Sequence, residues 1–180
     1  MNVWQRGPGG FAIGTAAPYT ADKVQCARNG LVTGMAVGRD VDVPAGEGLR
    51  YSLIAQRNAG DTSTQPLYVW LPLDSADSIR YQGKVVTFSV FVKAGANFSA
   101  NLSKLGVELR CGLGIDQNGL TSGFSGLTSP VNTLQTITTS YARYSFTATI
   151  PSNCTQIGVL LSWTPTGVAG TYDLIKAALS

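Results

Sequence analysis

Aromatic side chains are the first residues of this chain whose types could support recognition. Tyr68, Trp70 and Tyr81 fall within one short stretch of the sequence. The carbon-bound hydrogens of a sugar ring stack well on a flat aromatic ring that has polar groups around it. The three residues therefore predict a glycan-binding platform. Tyr68 and Trp70 also share strand parity, so the alternative is that both line the core.

Carboxylates are the only groups that could perform catalysis here. The chain has no histidine, which excludes Ser-His-Asp triads, Cys-His dyads and HExxH metal helices. Two carboxylates acting on a glycosidic bond remain possible, with Glu47, Glu108, Asp116 and Asp173 as candidates. The sequence identifies no acid and base in distinct environments, so we predict that the protein is not an enzyme.

Asp173 stands out among the acidic residues because of its place in the last predicted strand, residues 172–179. It shares parity with Ile175 and Ala177, so its carboxylate should point towards the core if theirs do. A buried carboxylate needs a partner. A hydrogen bond or ion pair to Arg6, or to backbone N–H groups, would provide one.

The N-terminal residues Trp4, Gln5 and Arg6 are candidates for an interface with other subunits, because Trp and Arg are favoured anchors. The alternative is that Trp4 packs the first strand against the core and Arg6 pairs with a nearby carboxylate.

Charge and cysteine content exclude several classes of function. Thirteen Lys and Arg against ten Asp and Glu give a net charge of +3, too weak and too scattered to predict nucleic-acid binding. The three cysteines are widely spaced, which favours buried free thiols over disulfides or a zinc site. No run of about 18 apolar residues predicts membrane insertion, and we expect no signal peptide.

Alternating apolar and polar residues predict about ten short strands and at most one short helix, over residues 73–81. The clearest strands are residues 84–93, 143–150 and 157–163. Such spacing favours an all-β, antiparallel two-sheet β-sandwich. We predict a single domain over residues 1–180, with residues 1–18 as an N-terminal arm or first strand that could contact another subunit.

Several segments, taken together and in order, resemble a family of domains in tail fibres and other virion appendages of tailed bacteriophages. The match begins with an NxWQRG pattern followed by YTAD, and it covers nearly the whole chain. The segments that carry it are residues 2–7, 19–23, 56–66, 86–99, 114–118 and 162–167.

The resemblance implies a jelly-roll sandwich of the galactose-binding-like type, similar to carbohydrate-binding modules. It implies a non-enzymatic structural protein at the virion surface, on a tail appendage or the capsid exterior, made in the bacterial cytoplasm. Host glycans would be possible ligands, and a homo-oligomer, most simply a trimer, is expected. The alternative is a decoration or joining protein that binds only other virion proteins. Similar modules often hold a structural calcium ion near an acidic residue of the last strand, which makes Asp173 a candidate calcium ligand.

Overall fold

The computed structural model describes residues 11–13, 17–20, 23–29, 34–100, 103–168 and 172–178. One short helix, α1 (Ser75–Ser78), continues into a 3-10 turn at Ile79–Tyr81. The strands in these residues are β1 (Phe11–Ile13), β2 (Gln25–Arg28), β3 (Met35–Asp40), β4 (Ser52–Arg57), β5 (Leu67–Leu73), β6 (Val85–Ala94), β7 (Lys104–Gly112), β8 (Thr128–Thr136), β9 (Ala142–Thr149), β10 (Gln156–Trp163) and β11 (Ile175–Ala178).

The strands form two antiparallel sheets. One has six strands in the order β1-β3-β4-β11-β6-β9, and the other has five in the order β2-β5-β10-β7-β8. Side chains from both sheets meet in one apolar core; Val37, Leu53 and Val92 come from the first sheet, and Val69 and Leu161 from the second. The prediction of an all-β, two-sheet antiparallel sandwich is confirmed, and the strand alternation is its physical cause.

Strand β6 departs from its sequence pattern. Six of the ten residues 84–93 are apolar and they fall on both faces of the strand, which predicts burial on both faces, yet Val85 is 68% exposed and Thr87 is also exposed. Of the outer-face residues of β6, only Phe91 is buried, so this face of the strand is open to solvent at the Val85 end. Within the described residues, no helix has the length and apolar character to cross a membrane.

A buried ion pair joins the end of β4 to the residue that leads into β11. The guanidinium of Arg57 lies 3.2 Å from Asp173 Oδ2, and neither side chain has any exposed surface. Asp173 Oδ1 accepts hydrogen bonds from the backbone N–H of Ser99 at 2.6 Å and from its hydroxyl at 2.9 Å. Arg57 also donates to the Val168 carbonyl at 2.7 Å. The prediction that Asp173 faces inward and needs a partner is confirmed, with Arg57 as the cation.

A second buried arginine stabilises the loop between β4 and β5. Arg28, at the end of β2, pairs with Asp61 and donates to the carbonyls of Ser63 and Gln65 at 3.0 and 3.2 Å. Its side chain is fully buried, so these contacts replace the water that a guanidinium otherwise needs. Arg57 also donates to the Ser63 carbonyl. Hydrogen bonds from the two arginines to backbone carbonyls therefore fix the position of the β4–β5 loop.

We predict that Asp173→Asn lowers the free energy of unfolding by about 3–5 kcal/mol, because it leaves the Arg57 charge buried without its counter-ion. Asn tolerates the left-handed backbone at this position, where φ is 44°, so the substitution tests the charge rather than the backbone. Urea unfolding measures the change. Asp77→Asn, at a partly exposed acid on α1, should shift the same value by less than about 0.5 kcal/mol. Equal changes in the free energy of unfolding for the two variants would show that breaking the buried ion pair costs no more than removing an exposed charge.

The cysteines yield a second prediction. Cys26, Cys111 and Cys154 are free and buried. Burial raises the pKa of Cys26 and of Cys111 to about 12. The unfolded thiols titrate near 8.5, so the folded state should lose stability as the pH rises from about 8.5 towards 12. A thiol reagent at pH 8 should leave these two cysteines unmodified until denaturant is added; rapid labelling of the folded protein would contradict this.

Candidate functional site

A cleft of about 430 Å³ opens on the outer face of the five-stranded sheet. Its volume lies in the range of small-ligand sites. Aromatic rings and amide or carboxylate groups line it together, which is the combination that sugar recognition needs. The lining residues are Tyr19, Gln25, Trp70, Pro72, Leu73, Asp74, Asp116, Gln117, Asn118, Phe124 and Gln156.

Trp70 and Phe124 form the apolar part of the cleft. Their rings meet edge to face, with centroids 5.6 Å apart, and they pack with Leu160 on the outer side of the sheet. The indole fits there because Gly158, on the neighbouring strand β10, has no side chain; a Cβ at Gly158 would overlap the ring. A Cβ at Gly119 would lie 2.6 Å from Trp70 Cζ2. Two glycines thus allow the large ring to lie close to the backbone.

One wall of the cleft is the segment between β7 and β8, and amide side chains fix its position. Gln156 accepts from the Gln117 backbone N–H at 3.1 Å and donates to its carbonyl at 3.3 Å. The Gln117 side chain makes two further bonds, to the hydroxyl and the backbone N–H of Ser125, at 2.7 and 2.8 Å. The wall is therefore held by paired hydrogen bonds, which lowers the entropy that a ligand must remove on binding.

Asp116 lies at the tip of this wall in a left-handed backbone conformation, with φ of 51°. Its backbone N–H and its Oδ1 both bond to the Ser75 hydroxyl, each at 3.0 Å. The next acidic group, Asp74, lies 3.5 Å from the exposed ammonium of Lys23. Helix α1 thus connects the wall to the end of β5.

Arg110 lies beside Trp70. Its guanidinium carbon is 6.0 Å from the centroid of the Trp70 ring, and it donates to the Gly119 carbonyl at 3.1 Å. Glu108 neutralises it at 2.8 Å and accepts a further bond from the Ser129 hydroxyl. Glu108 faces outward, as its parity predicts, but it lies in an ion pair.

The structure does not bring Tyr68, Trp70 and Tyr81 together as one open platform. Trp70 is only 1% exposed, because Phe124 and the wall cover it, so its face is not an open stacking surface. Tyr68 lies beside it on the same outer face, partly buried. Tyr81 is 41% exposed but lies on the other side of the sheet, where it lines a separate apolar cavity of about 190 Å³ with Phe88 and Val159. The 3-10 turn carries Tyr81 away from the other two rings.

The contacts of Asp173 do not favour calcium. Both of its oxygens face donors, and a cation beside Oδ2 would meet the Arg57 guanidinium. In the part of the chain that the structure describes, no group of three Cys, Asp or Glu side chains is arranged to hold a metal ion. Calcium therefore stays a prediction that the residues around Asp173 do not support. Trp4, Gln5 and Arg6 lie outside the described residues.

The outer face of the six-stranded sheet has a different character from that of the cleft. Lys176 lies 3.1 Å from Asp40 and 2.9 Å from Asp42, and Lys93 also pairs with Asp42. Hydrogen bonds from Lys93 and then Lys176 are the main causes that lower the pKa of Asp42. The lysines and aspartates on this face form ion pairs with one another. The aromatic cleft lies on the outer face of the five-stranded sheet.

Comparisons with known proteins match the fold and give no family. No protein-family model matches the chain, and no curated protein matches it significantly. Among solved structures, it is similar to the enzymatically active domain of tailspike protein 4 from bacteriophage CBA120, with a TM-score of 0.57 and 11% identity. That match covers 86% of this chain but only 18% of the tailspike chain.

Carbohydrate-binding modules are the other similar structures. A xylan-binding CBM22 domain from Paenibacillus barcinonensis has a TM-score of 0.52 and 13% identity, covering 96% of this chain and 94% of that one. A structure of carbohydrate-binding modules from the β-sandwich superfamily gives 0.55 and 12%, covering 91% and 60%. At these identities the likeness shows the fold alone: a β-sandwich shared by carbohydrate-binding modules and a phage tailspike domain.

Sequence reasoning missed most of the cleft. Gln25, Phe124 and Gln156 were not singled out, because each lies at the end of a strand or in a loop where alternation carries no information. One signal was available. The sequence between β7 and β8, GLGIDQNGLTSGFSG, combines glycine with amide and acidic residues, which is typical of a shaped surface loop.

We predict that Gly158→Ala moves the Trp70 ring, because the added methyl group would overlap it. The cost should be about 1–3 kcal/mol of unfolding free energy, as for other overpacking substitutions. Urea unfolding and the near-ultraviolet circular dichroism of the tryptophans measure both effects. Thr149→Ala, on the exposed side of β9, is the control and should change neither. A Gly158→Ala protein with wild-type stability and spectrum would refute the close packing described.

Proposed function

We propose that this chain is a non-enzymatic glycan-binding module carried on the surface of a tailed-phage particle. The observation that carries the proposal is the cleft beside β5, where aromatic rings and hydrogen-bonding side chains converge in a volume suited to a sugar ring. The sandwich shared with carbohydrate-binding modules and with a phage tailspike domain supports it, as fold analogy.

Tyr19 is the aromatic residue best placed to contact a ligand from solution. It lines the cleft and is 41% exposed, whereas Trp70 and Phe124 are nearly buried. A sugar ring on Tyr19 would share the cleft with the Trp70–Phe124 pair and the amide groups of the wall. Trp70 then shapes the cleft and Tyr19 provides the stacking surface.

The carboxylates support a binding role over a catalytic one. Glu108 is paired with Arg110 and Asp173 with Arg57, so neither is free to act as acid or base. Asp116 bonds Ser75 at the rim of the cleft. A binding module with modest affinity at one site becomes effective through several copies, which agrees with the expected homo-oligomer, most simply a trimer, on a virion.

We expect Tyr19→Ala to weaken glycan binding by about 2- to 12-fold, the loss that corresponds to one aromatic contact. The matched control is Tyr81→Ala, which removes an equally exposed tyrosine outside the cleft and should bind as the wild type does. A glycan array of bacterial surface sugars, followed by calorimetry on the best ligand, measures the effect.

The alternative is a joining protein that binds only other virion proteins. To distinguish the two, labelled protein is offered to host cells and to particles that lack it. Saturable binding to cells that free sugars compete away supports the glycan-binding module. Binding to particles alone, with no signal on the array, contradicts it.

A further inference from the structure

The ionisable side chains that line the cleft from the described residues include two acids and no base. Of the described residues that line it, Asp74 and Asp116 carry carboxyl groups, and none is a lysine or arginine. Lys23 partly offsets Asp74, but both side chains are largely exposed, so the pair is weak. Arg110, a partly buried cation beside Trp70, is paired with Glu108. The field in the cleft therefore favours a positive ligand and opposes a negative one.

Two amide side chains of the cleft donate hydrogen bonds within the wall. The amide nitrogens of Gln156 and Gln117 donate to the Gln117 carbonyl and the Ser125 hydroxyl. Asn118 keeps its amide nitrogen, while its oxygen accepts from the backbone of Leu120 and Thr121. Asp116 Oδ1 bonds Ser75, which leaves Oδ2 available as an acceptor. The cleft thus offers a ligand carboxylate oxygens as acceptors, beside amide N–H groups.

Gln25 provides independent evidence for a missing donor. Its side chain lines the cleft and is 5% exposed, yet Oε1 has no hydrogen-bond partner among the described residues. An unsatisfied buried acceptor is costly, and native proteins rarely leave one without a ligand or an ordered water. A ligand N–H or O–H in the cleft would satisfy it.

We propose that the cleft selects a glycan whose sugar carries an amino group and rejects one that carries a carboxylate. The inference rests on the proposed glycan-binding function and names its ligand class. An ammonium group would meet the acceptor side of the cleft, with Asp116 as its counter-charge. A uronic acid would bring its carboxylate against Asp116 and could not donate from that group to Gln25.

The test compares three tetrasaccharides by calorimetry with the full chain: a glucosamine tetramer, cellotetraose and a galacturonic acid tetramer. The first two share their linkage and differ in an amino against a hydroxyl group. The glucosamine tetramer should bind on the order of 10-fold tighter than cellotetraose, because charge-assisted hydrogen bonds are the stronger kind. The galacturonic acid tetramer should bind weakest.

Variants assign the preference to its residues. Asp116→Asn should remove the preference, so that the glucosamine tetramer and cellotetraose bind this variant with equal affinity; asparagine tolerates the backbone at this position. Asp77→Asn, an acid outside the cleft, should keep the preference. Gln25→Leu should weaken both ligands without lowering the unfolding free energy, because no described contact of Oε1 is lost.

Equal affinities in the wild-type protein, tightest binding of the uronic acid, or an Asp116→Asn variant that keeps the preference would each overturn the inference while leaving glycan binding intact. Absence of binding to these tetramers and to every sugar of the array would instead refute the proposed function. If a different glycan on the array binds, its sugar composition tests the inference. A glycan with an amino sugar supports the inference, and one with a uronic acid overturns it.

Discussion

The burial of arginine charge is the constraint on which the rest of the structure depends. Arg28 and Arg57 have no exposed side-chain surface, and a guanidinium without water must find a carboxylate and carbonyl oxygens nearby. Asp61 and Asp173 meet that need, together with carbonyls from two loops. The requirement fixes how β4 ends and how the chain enters β11. Such a pair adds little net stability over an apolar one, but an arrangement that lacks one member is very costly, so the contacts favour a single path for the chain.

Arg28 and the cleft lie towards opposite ends of the same strands, and Arg57, on β4 of the other sheet, donates to the same Ser63 carbonyl as Arg28. In the β2–β5 ladder, Arg28 pairs with Leu67 and Gln25 with Trp70. In the β5–β10 ladder, Leu67 pairs with Trp163 and Leu73 with Ile157. One end is therefore closed by charge pairs, and the other end carries glycines, amides and aromatic rings. This division separates the groups that determine the fold from those that face a ligand.

The sequence predicts the sandwich well because side chains alternate between the two faces of a strand, so burial repeats every two residues in the sequence. β9 alternates between partly buried and exposed residues over its whole length, and β7 alternates between partly buried and buried residues up to its last two, which are both buried. The sequence also predicts that Asp173 turns inward, but it cannot name Arg57, which is distant in the chain and becomes a neighbour only when β4 pairs with β11. The platform of Tyr68, Trp70 and Tyr81 failed for the same reason: parity gives the face of a strand, not the loop that covers it or the turn that carries Tyr81 away.

The wall of the cleft joins two strands that are neighbours in the sheet, β7 and β8, and this has an evolutionary consequence. The ladder between the strands fixes both ends of the connection, so its length can change without altering the strand order. Doubling a loop costs only about 0.6 kcal/mol in closure entropy. Insertions and deletions between residues 113 and 127 can therefore reshape the cleft while the two arginines keep the framework intact. Related chains that face changing surfaces should diverge in length here first.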